Sequence, residues 1–517
     1  MLDRLTRLAG SFAGLITLVL LGAAACGSTP GGVETAPRVE TSEGTLEGTP
    51  FLEAGGTFFG VPFAAPTVDE LRWEAPAAPE DWPGIRPANE FAPACPQGDY
   101  TTAWYADVIS AFGGDPAEAA RPNGESEDCL YLNIWSPDLE PTEPLPVMVW
   151  IHGGAYKGGW PYEPNYLGAG LAERGVIVIS IAYRMGPFGY IGPDGEANFG
   201  LKDQVRALEW IQENAASFGG NPDNVTVFGE SAGASSIGTL IVSPAATGLF
   251  DKAIHQSGGF EFIETGTTES AATAFAALET ALGGEDAKAA SWQSVFAASN
   301  DVLSDHWFAP VTDGDVLPRS PRDLLSAGKL NAVDLMIGTN GDEWLMYIDP
   351  EGADVALDAW RENLPGAGEL IDALVETHGK VGALDRIETA DQMRCPGRKL
   401  ARALGEAGQN VFAYRFTRVR PAETDPPLGS YHGAEIPYVF GTHDAWLPTD
   451  EIDRAITETM MSAWAAFVHD GTPAAAVDWP DYAETGKLLE IGDTIAPGAP
   501  LDDALCSHLD AFRSPVE

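Results

Sequence analysis

Val225-Thr226-Val227-Phe228-Gly229-Glu230-Ser231-Ala232-Gly233 is the stretch that decides how this chain folds. Four apolar or β-branched residues in a row read as a buried strand. A Gly-x-Ser-x-Gly pattern follows at once, and an apolar stretch at helical spacing continues through Ile241. Strand, sharp turn and helix is the setting in which a serine is held in strained backbone geometry with its hydroxyl presented outward. Glycines two residues either side let strand and helix approach that closely. The following helix points its N-terminal amides at the place where negative charge develops in acyl transfer. With 58 glycines in the chain, chance alone gives roughly 0.3 matches to the pattern, so its flanks make Ser231 a candidate nucleophile.

Outward from this turn, Pro146–Ile151 and Val176–Tyr183 are continuous apolar runs and predict buried strands; Leu335–Gly338 predicts another. Leu201–Phe218 carries Leu208, Ile211 and Ala215 at helical spacing and ends at Gly219-Gly220. This alternation predicts an α/β fold: a central, mostly parallel twisted sheet flanked by helices, with inserted helical segments. The Ala-rich stretch from about Thr265 to His306 is one insertion, either a cap over the site or an outer helical layer. His152-Gly153-Gly154-Ala155 directly follows the strand ending at Ile151. Small residues there let backbone N–H groups face a tetrahedral intermediate, an oxyanion-hole arrangement. No interior linker, low-complexity run or repeat divides the 517 residues, which predicts one large enzyme domain over residues 39–517.

The start of the chain reads differently. Arg4 and Arg7 precede an apolar run at Leu15–Leu21, and Ala23-Ala24-Ala25-Cys26 offers a small-residue cleavage site. Residues 1–25 are therefore expected to be a secretion signal, too short and wrongly flanked for a membrane span. The segment resembles a bacterial lipoprotein box, with Cys26 the lipidated residue, although Ala23 stands where Leu is usual. The alternative is an ordinary signal cleaved after Ala25. Residues 26–38 read as a tether, and the Gly/Thr/Pro/Glu-rich composition runs on to Thr45. The expected location is the cell envelope, periplasmic or surface, or else the medium.

Export implies an oxidising compartment, and without Cys26 the five cysteines leave an even set: Cys95, Cys129, Cys395 and Cys506. Counting allows three pairings. Cys95 and Cys129 bracket a polar Gly/Pro-containing segment and form the local pair, which leaves Cys395 and Cys506 to close a long loop. No two cysteines sit two to four residues apart, which argues against a metal site. The formal net charge of −47, from 76 acidic and 29 basic residues, excludes charge-driven binding to nucleic acid or anionic membranes. Steering of cationic substrates or adaptation to salt would use such charge. The even spread of the acids reads instead as a solvated coat.

Further segments make the chain recognisable. They are Gly60-Val61-Pro62-Phe63-Ala64-Ala65-Pro66, Ser126 to Trp135, Ala182-Tyr183-Arg184-Met185-Gly186-Pro187-Phe188-Gly189, and His255-Gln256-Ser257-Gly258. With the elbow at Ser231, they resemble the type-B carboxylesterase family, relatives of the cholinesterases, from about Val39 to Phe512. The resemblance implies a serine esterase of the α/β-hydrolase kind. It places the acid in Gly338-Thr339-Asn340-Gly341-Asp342-Glu343. By sequence alone Asp342 and Glu343 are equal candidates; the resemblance selects Glu343, and on that reading Asp342→Asn is nearly neutral. It places the histidine at His432 in Tyr431–Gly441, with His443 the nearest rival. It puts the oxyanion donors at the backbone N–H of Gly154, Ala155 and Ala232, and it supports the Cys95–Cys129 and Cys395–Cys506 pairs. Such chemistry needs no metal or cofactor. Glu230 is expected to be a hydrogen-bonded structural carboxylate. Cholinesterases carry a choline-binding Trp shortly before the second Cys of the first disulfide loop. Here Gly, Glu and Ser occupy that place and Trp104 lies upstream, which argues against choline esters. A non-catalytic adhesion relative is disfavoured by an intact Ser231, His432 and Glu343. Cleavage of carbamates, thioesters or amides uses the same groups and stays open.

Overall fold

In the computed structural model, which describes residues 36–259, 265–421, 428–500 and 504–513, the apolar runs become strands of one 11-stranded sheet. In chain order these are β1 (Thr49–Phe51), β2 (Gly55–Pro62), β3 (Tyr131–Ser136), β4 (Leu145–Ile151), β5 (Ile177–Ile181) and β6 (Gly220–Glu230). They continue as β7 (Lys252–Gln256), β8 (Asp334–Asn340), β9 (Val411–Phe416), β10 (Lys487–Ile491) and β11 (Ile495–Pro500). The spatial order is β1-β2-β3-β5-β4-β6-β7-β8-β9-β10-β11. From β5 through β10 every pairing is parallel, and the flanking pairs are antiparallel. This is the expected α/β-hydrolase sheet.

Strands buried on both faces read as unbroken apolar runs rather than alternating ones, and that is why they were legible. Val147, Val149, Ile151, Val225, Val227 and Leu335 face one core, with Leu208 and Ile211 of the helix Phe199–Asn214 and Ile237 of the helix Ala232–Val242. Met148, Trp150, Phe228, Met336 and Phe412 face the other, with Trp464 and Phe467 of the helix Glu451–Asp470. The helix Phe199–Asn214 runs into a 3₁₀ turn, Ala215–Phe218, and that turn stops where the glycines predicted: Gly219 takes φ 83°, a left-handed cap. β6 begins five residues before Val225, because Gly220 already pairs with Leu145 and the register shifts across the polar residues 221–224 before Val225 pairs with Val147.

The Ala-rich insertion forms helices Thr268–Ala281 and Trp292–Val302, whose Phe275, Leu278 and Val295 pack into the first core. Its helices thus form an outer layer on that core, and among the described residues none from this insertion lines the cavity beside Ser231. Arg38–Glu40 and Thr45–Glu47 are paired antiparallel strands, so ordered structure begins inside the stretch whose composition resembles a tether. The leader, Cys26 and the tether up to residue 35 lie outside the described residues.

Disulfides join Cys95 to Cys129 and Cys395 to Cys506, with Cα separations of 5.0 and 5.4 Å. They span 34 and 111 residues, which corresponds to roughly 4 and roughly 5 kcal/mol in the chain-entropy model. The first loop contains the helix Tyr100–Ala111, whose Tyr100, Thr101 and Trp104 wall the cavity beside Ser231.

Candidate active site

The parallel strands end in register: Ile151 lies beside Gly229, and Gln256 beside both Glu230 and Gly338. Loops leaving this carboxyl edge therefore converge, as ligand-binding loops of open α/β sheets do. Ser231 sits on the turn between β6 and the next helix at φ 55°, ψ −124°. A non-glycine residue there costs on the order of 1–3 kcal/mol, which surrounding structure must hold. Its N–H donates to the Gln256 carbonyl at 3.0 Å, and its carbonyl accepts from Ser235 N at 2.8 Å. The glycines serve the role foreseen for them. A Cβ at Gly233 would lie 2.0 Å from the Ile151 carbonyl oxygen, and one at Gly229 only 2.5 Å from it.

His432 reaches Ser231 from a loop 201 residues later, its Nε2 2.7 Å from Ser231 Oγ. Its Nδ1 lies 2.7 Å from Glu343 Oε2. In the neutral imidazole, Nδ1–H donates to the Glu343 carboxylate and leaves the Nε2 lone pair facing the serine hydroxyl; in the imidazolium both nitrogens donate. Glu343 is fully buried, and its Oε1 accepts from the Asn340 amide at 2.6 Å. Asp342 points elsewhere: its carboxylate accepts from Ser430 and Arg386. His443 is buried among Asp444, Thr449 and Thr457, away from Ser231.

The loop after β4 takes three successive positive φ values, at Gly154 (103°), Ala155 (54°) and Tyr156 (56°). It is held by Lys157 N and Gly158 N donating to the Gly154 carbonyl and by Gly186 N donating to that of Tyr156. Gly154 and Ala155 line the cavity next to Ser231. Ala232 opens the following helix, where the first amides have no intrahelical acceptor. His152 is a support: burial lowers it to about 4, so it stays neutral, stacked on Tyr183, whose hydroxyl donates to the His152 carbonyl.

Glu230 departs from expectation. It is buried, but its Oε1 has no hydrogen-bond partner among the described residues and lies 3.3 Å from His432 Nε2. Burial pushes its carboxyl well above the usual range. For His432 burial acts downward, but Glu230 and the hydrogen bond to Glu343 outweigh it and hold the imidazole above its ordinary value. Trp104 also departs. Though displaced in sequence, it stands in the cavity wall with Tyr166, Tyr347 and Ile436, around a space of about 80 Å³.

Three polar residues inside the quoted motifs had drawn no role. Asn340 Nδ2 donates to Glu435 Oε2 (2.6 Å) and to the Tyr431 carbonyl (2.8 Å), and Gln256 Nε2 donates to Glu435 Oε1 (3.1 Å). They tie the ends of β7 and β8 to the histidine loop. Their signal was available: amides and a carboxylate at the ends of otherwise apolar strands and helices must find partners when buried.

The profile of the carboxylesterase family matches residues 35–357 and 376–504. The para-nitrobenzyl esterase of Bacillus subtilis (strain 168) is 36% identical over 487 residues, covering 88% of this chain and 94% of that protein. The fumonisin B1 esterase of Sphingopyxis macrogoltabida is 33% identical over 504 residues, covering 89% and 86%. A solved PNB esterase superposes with a TM-score of 0.77 at 32% identity, over 92% of this chain and 100% of that one. With the sheet order, the serine elbow and this likeness across nearly the whole length, the chain belongs to the carboxylesterase family.

Proposed function

We propose that this carboxylic ester hydrolase works through Ser231, His432 and Glu343, with the amides of Gly154, Ala155 and Ala232 receiving the oxyanion. The observation that carries this reading is the unbroken line from Ser231 Oγ through both imidazole nitrogens to Glu343, 2.7 Å at each step. As Oγ attacks the ester carbonyl, its proton passes to His432 Nε2, and Glu343 stabilises the imidazolium. Collapse of the tetrahedral intermediate breaks the bond to the alcohol oxygen, which takes the proton from Nε2. Water then repeats the sequence on the acyl-enzyme, releasing the acid and free Ser231. A fluorophosphonate probe is expected to label Ser231, read by peptide mass spectrometry. Labelling of a different serine, or none, overturns the assignment.

The pH profile follows from the carboxylates around His432. Hydrolysis rises with pH as the imidazole loses its proton. Glu230 and Glu343 favour the protonated ring, so the rising limb of kcat/KM lies above the ordinary imidazole value of about 6.5. Glu230 and His432 titrate as a pair, and whichever holds the last proton, the pair releases it at higher pH than His432 alone would. Glu230→Gln is therefore expected to move the limb to lower pH. An unmoved limb would show that Glu230 does not act on His432.

The exported form is read as a lipoprotein. Support comes from the basic and apolar leader before Ala23-Ala24-Ala25-Cys26 and from two disulfides in the body. Multiple acyl chains anchor firmly where one chain anchors marginally. The mature protein is expected to partition into detergent with a modified Cys26, and Cys26→Ser to be soluble or uncleaved. An unmodified Cys26 in the mature protein, by mass spectrometry, refutes lipidation.

A further inference from the structure

Asp342 stands next to the acid yet outside the line from Ser231 to Glu343, and its carboxylate is fully engaged. Oδ2 accepts from Ser430 N and Ser430 Oγ, both at 2.9 Å, and Oδ1 accepts from Arg386 Nη1 at 2.9 Å. Arg386 also donates to the Gly341 carbonyl and to Asp385, and Asp385 accepts from Trp344 N at 2.9 Å. In return, Gly341 N donates to Ser430 Oγ at 3.0 Å and Asp342 N to the Ser430 carbonyl at 3.2 Å. Backbone on both sides of Glu343 is thus anchored, and the main anchor is the residue two before His432. Gly429 makes room for it: at φ 72°, a Cβ there would lie 2.6 Å from Asp342 Oδ2.

We propose that Asp342, with Ser430 and Arg386, is a positioning residue that clamps the acid loop to the histidine loop and so sets the Glu343–His432 hydrogen bond. Glu343 and His432 arrive on separate loops 89 residues apart, and their bond is 2.7 Å long. Catalytic constellations lose rate when misplaced by more than about 0.5 Å, so the loops must be registered by something other than that bond. Asn340 ties to Tyr431 and Glu435 on one flank, and Asp342 ties to Ser430 on the other. None of Asp342, Ser430 and Arg386 lines the cavity, so the clamp acts on geometry and not on substrate. The inference rests on the proposed triad. It replaces the sequence expectation that Asp342→Asn is neutral.

The test measures kcat, KM and the pH limb for Asp342→Ala, Asp342→Asn and Ser430→Ala, per active site counted by fluorophosphonate titration. Counting sites removes any unfolded fraction. Should Asp342→Ala fail to fold, the other two variants carry the test. Asp342→Ala is expected to lose on the order of 10- to 100-fold in kcat with KM unchanged, since a misplacement of about 1 Å caused away from the chemistry can cost about 100-fold. Ser430→Ala, which keeps the Ser430 N–H bond, should lose less. The groups facing His432 are Ser231, Glu230, Glu343 and the Tyr347 ring, and Glu435 adds its charge from beyond them. Loosening Glu343 weakens its support of the imidazolium, so the limb should move to lower pH in all three variants. Wild-type kcat per site with an unmoved limb overturns the clamp, as does a raised KM at constant kcat. If Glu343→Gln keeps full activity, the triad reading itself fails. If Glu343→Gln is inactive while Asp342→Ala is wild type, only the clamp fails.

Discussion

Ser231→Ala is expected to lower kcat on the order of a million-fold, with His432→Ala close behind and the double variant scarcely worse. The reason is that the two side chains perform one event: a hydroxyl without the imidazole is a weak nucleophile, and an imidazole without the hydroxyl has nothing to activate. The glycine-rich loop and the cavity survive both changes, so a residual rate of roughly 10³–10⁴ over water should remain. The fold should survive too. Serine already carries a Cβ at φ 55°, ψ −124°, so Ser231→Ala adds no backbone strain. The lost Ser231–His432 hydrogen bond amounts to about 1 kcal/mol. Steady-state hydrolysis of a chromogenic ester, with a melting curve on the same preparation, separates the effects. Wild-type turnover by Ser231→Ala would sink the mechanism outright.

Glu343→Gln comes next, with an expected loss on the order of ten-thousand-fold in kcat and little change in KM. Glutamine keeps the shape, and the two ways of seating it both fail. With its oxygen toward Asn340 N, where Glu343 accepts at 2.6 Å, its amide nitrogen faces His432 Nδ1. That nitrogen must then accept, the ring proton moves to Nε2, and an N–H confronts the Ser231 hydroxyl where a lone pair is required. With the amide reversed, two donors meet at Asn340 in a fully buried site, an unmet pair costing about 1–3 kcal/mol. Glu343 is absent from the cavity wall, so substrate binding should be spared. The order of effects is diagnostic: Glu343→Gln must be far worse than Asp342→Asn. The reverse order would make Asp342 the acid.

Several features were legible before any coordinates because they are local. A parallel strand buried on both faces must be a continuous apolar run, and Val147–Ile151, Val225–Phe228 and Leu335–Ile337 are such runs. The elbow is five consecutive residues whose glycines answer a contact at 2.0–2.5 Å, so Ser231 and its turn are written in adjacent positions. What tertiary structure alone decided concerns partners distant along the chain. Asp342 and Glu343 are neighbours of the same charge. The bend of the loop sends one to His432 and the other to Ser430 and Arg386, residues 88 and 44 positions away. Trp104 stands elsewhere in the sequence than the choline-binding Trp of the cholinesterases, yet its helix, inside the loop closed by Cys95 and Cys129, brings it into the cavity wall. Glu230 was expected to be satisfied; only the closing of the histidine loop over it shows an oxygen 3.3 Å from the imidazole. Strand, turn and nucleophile follow from short-range sterics and burial, which neighbouring residues encode. The choice of acid, the clamp around it and the cavity wall follow from which loops meet at the sheet's carboxyl edge, and that is settled only when the whole chain has packed.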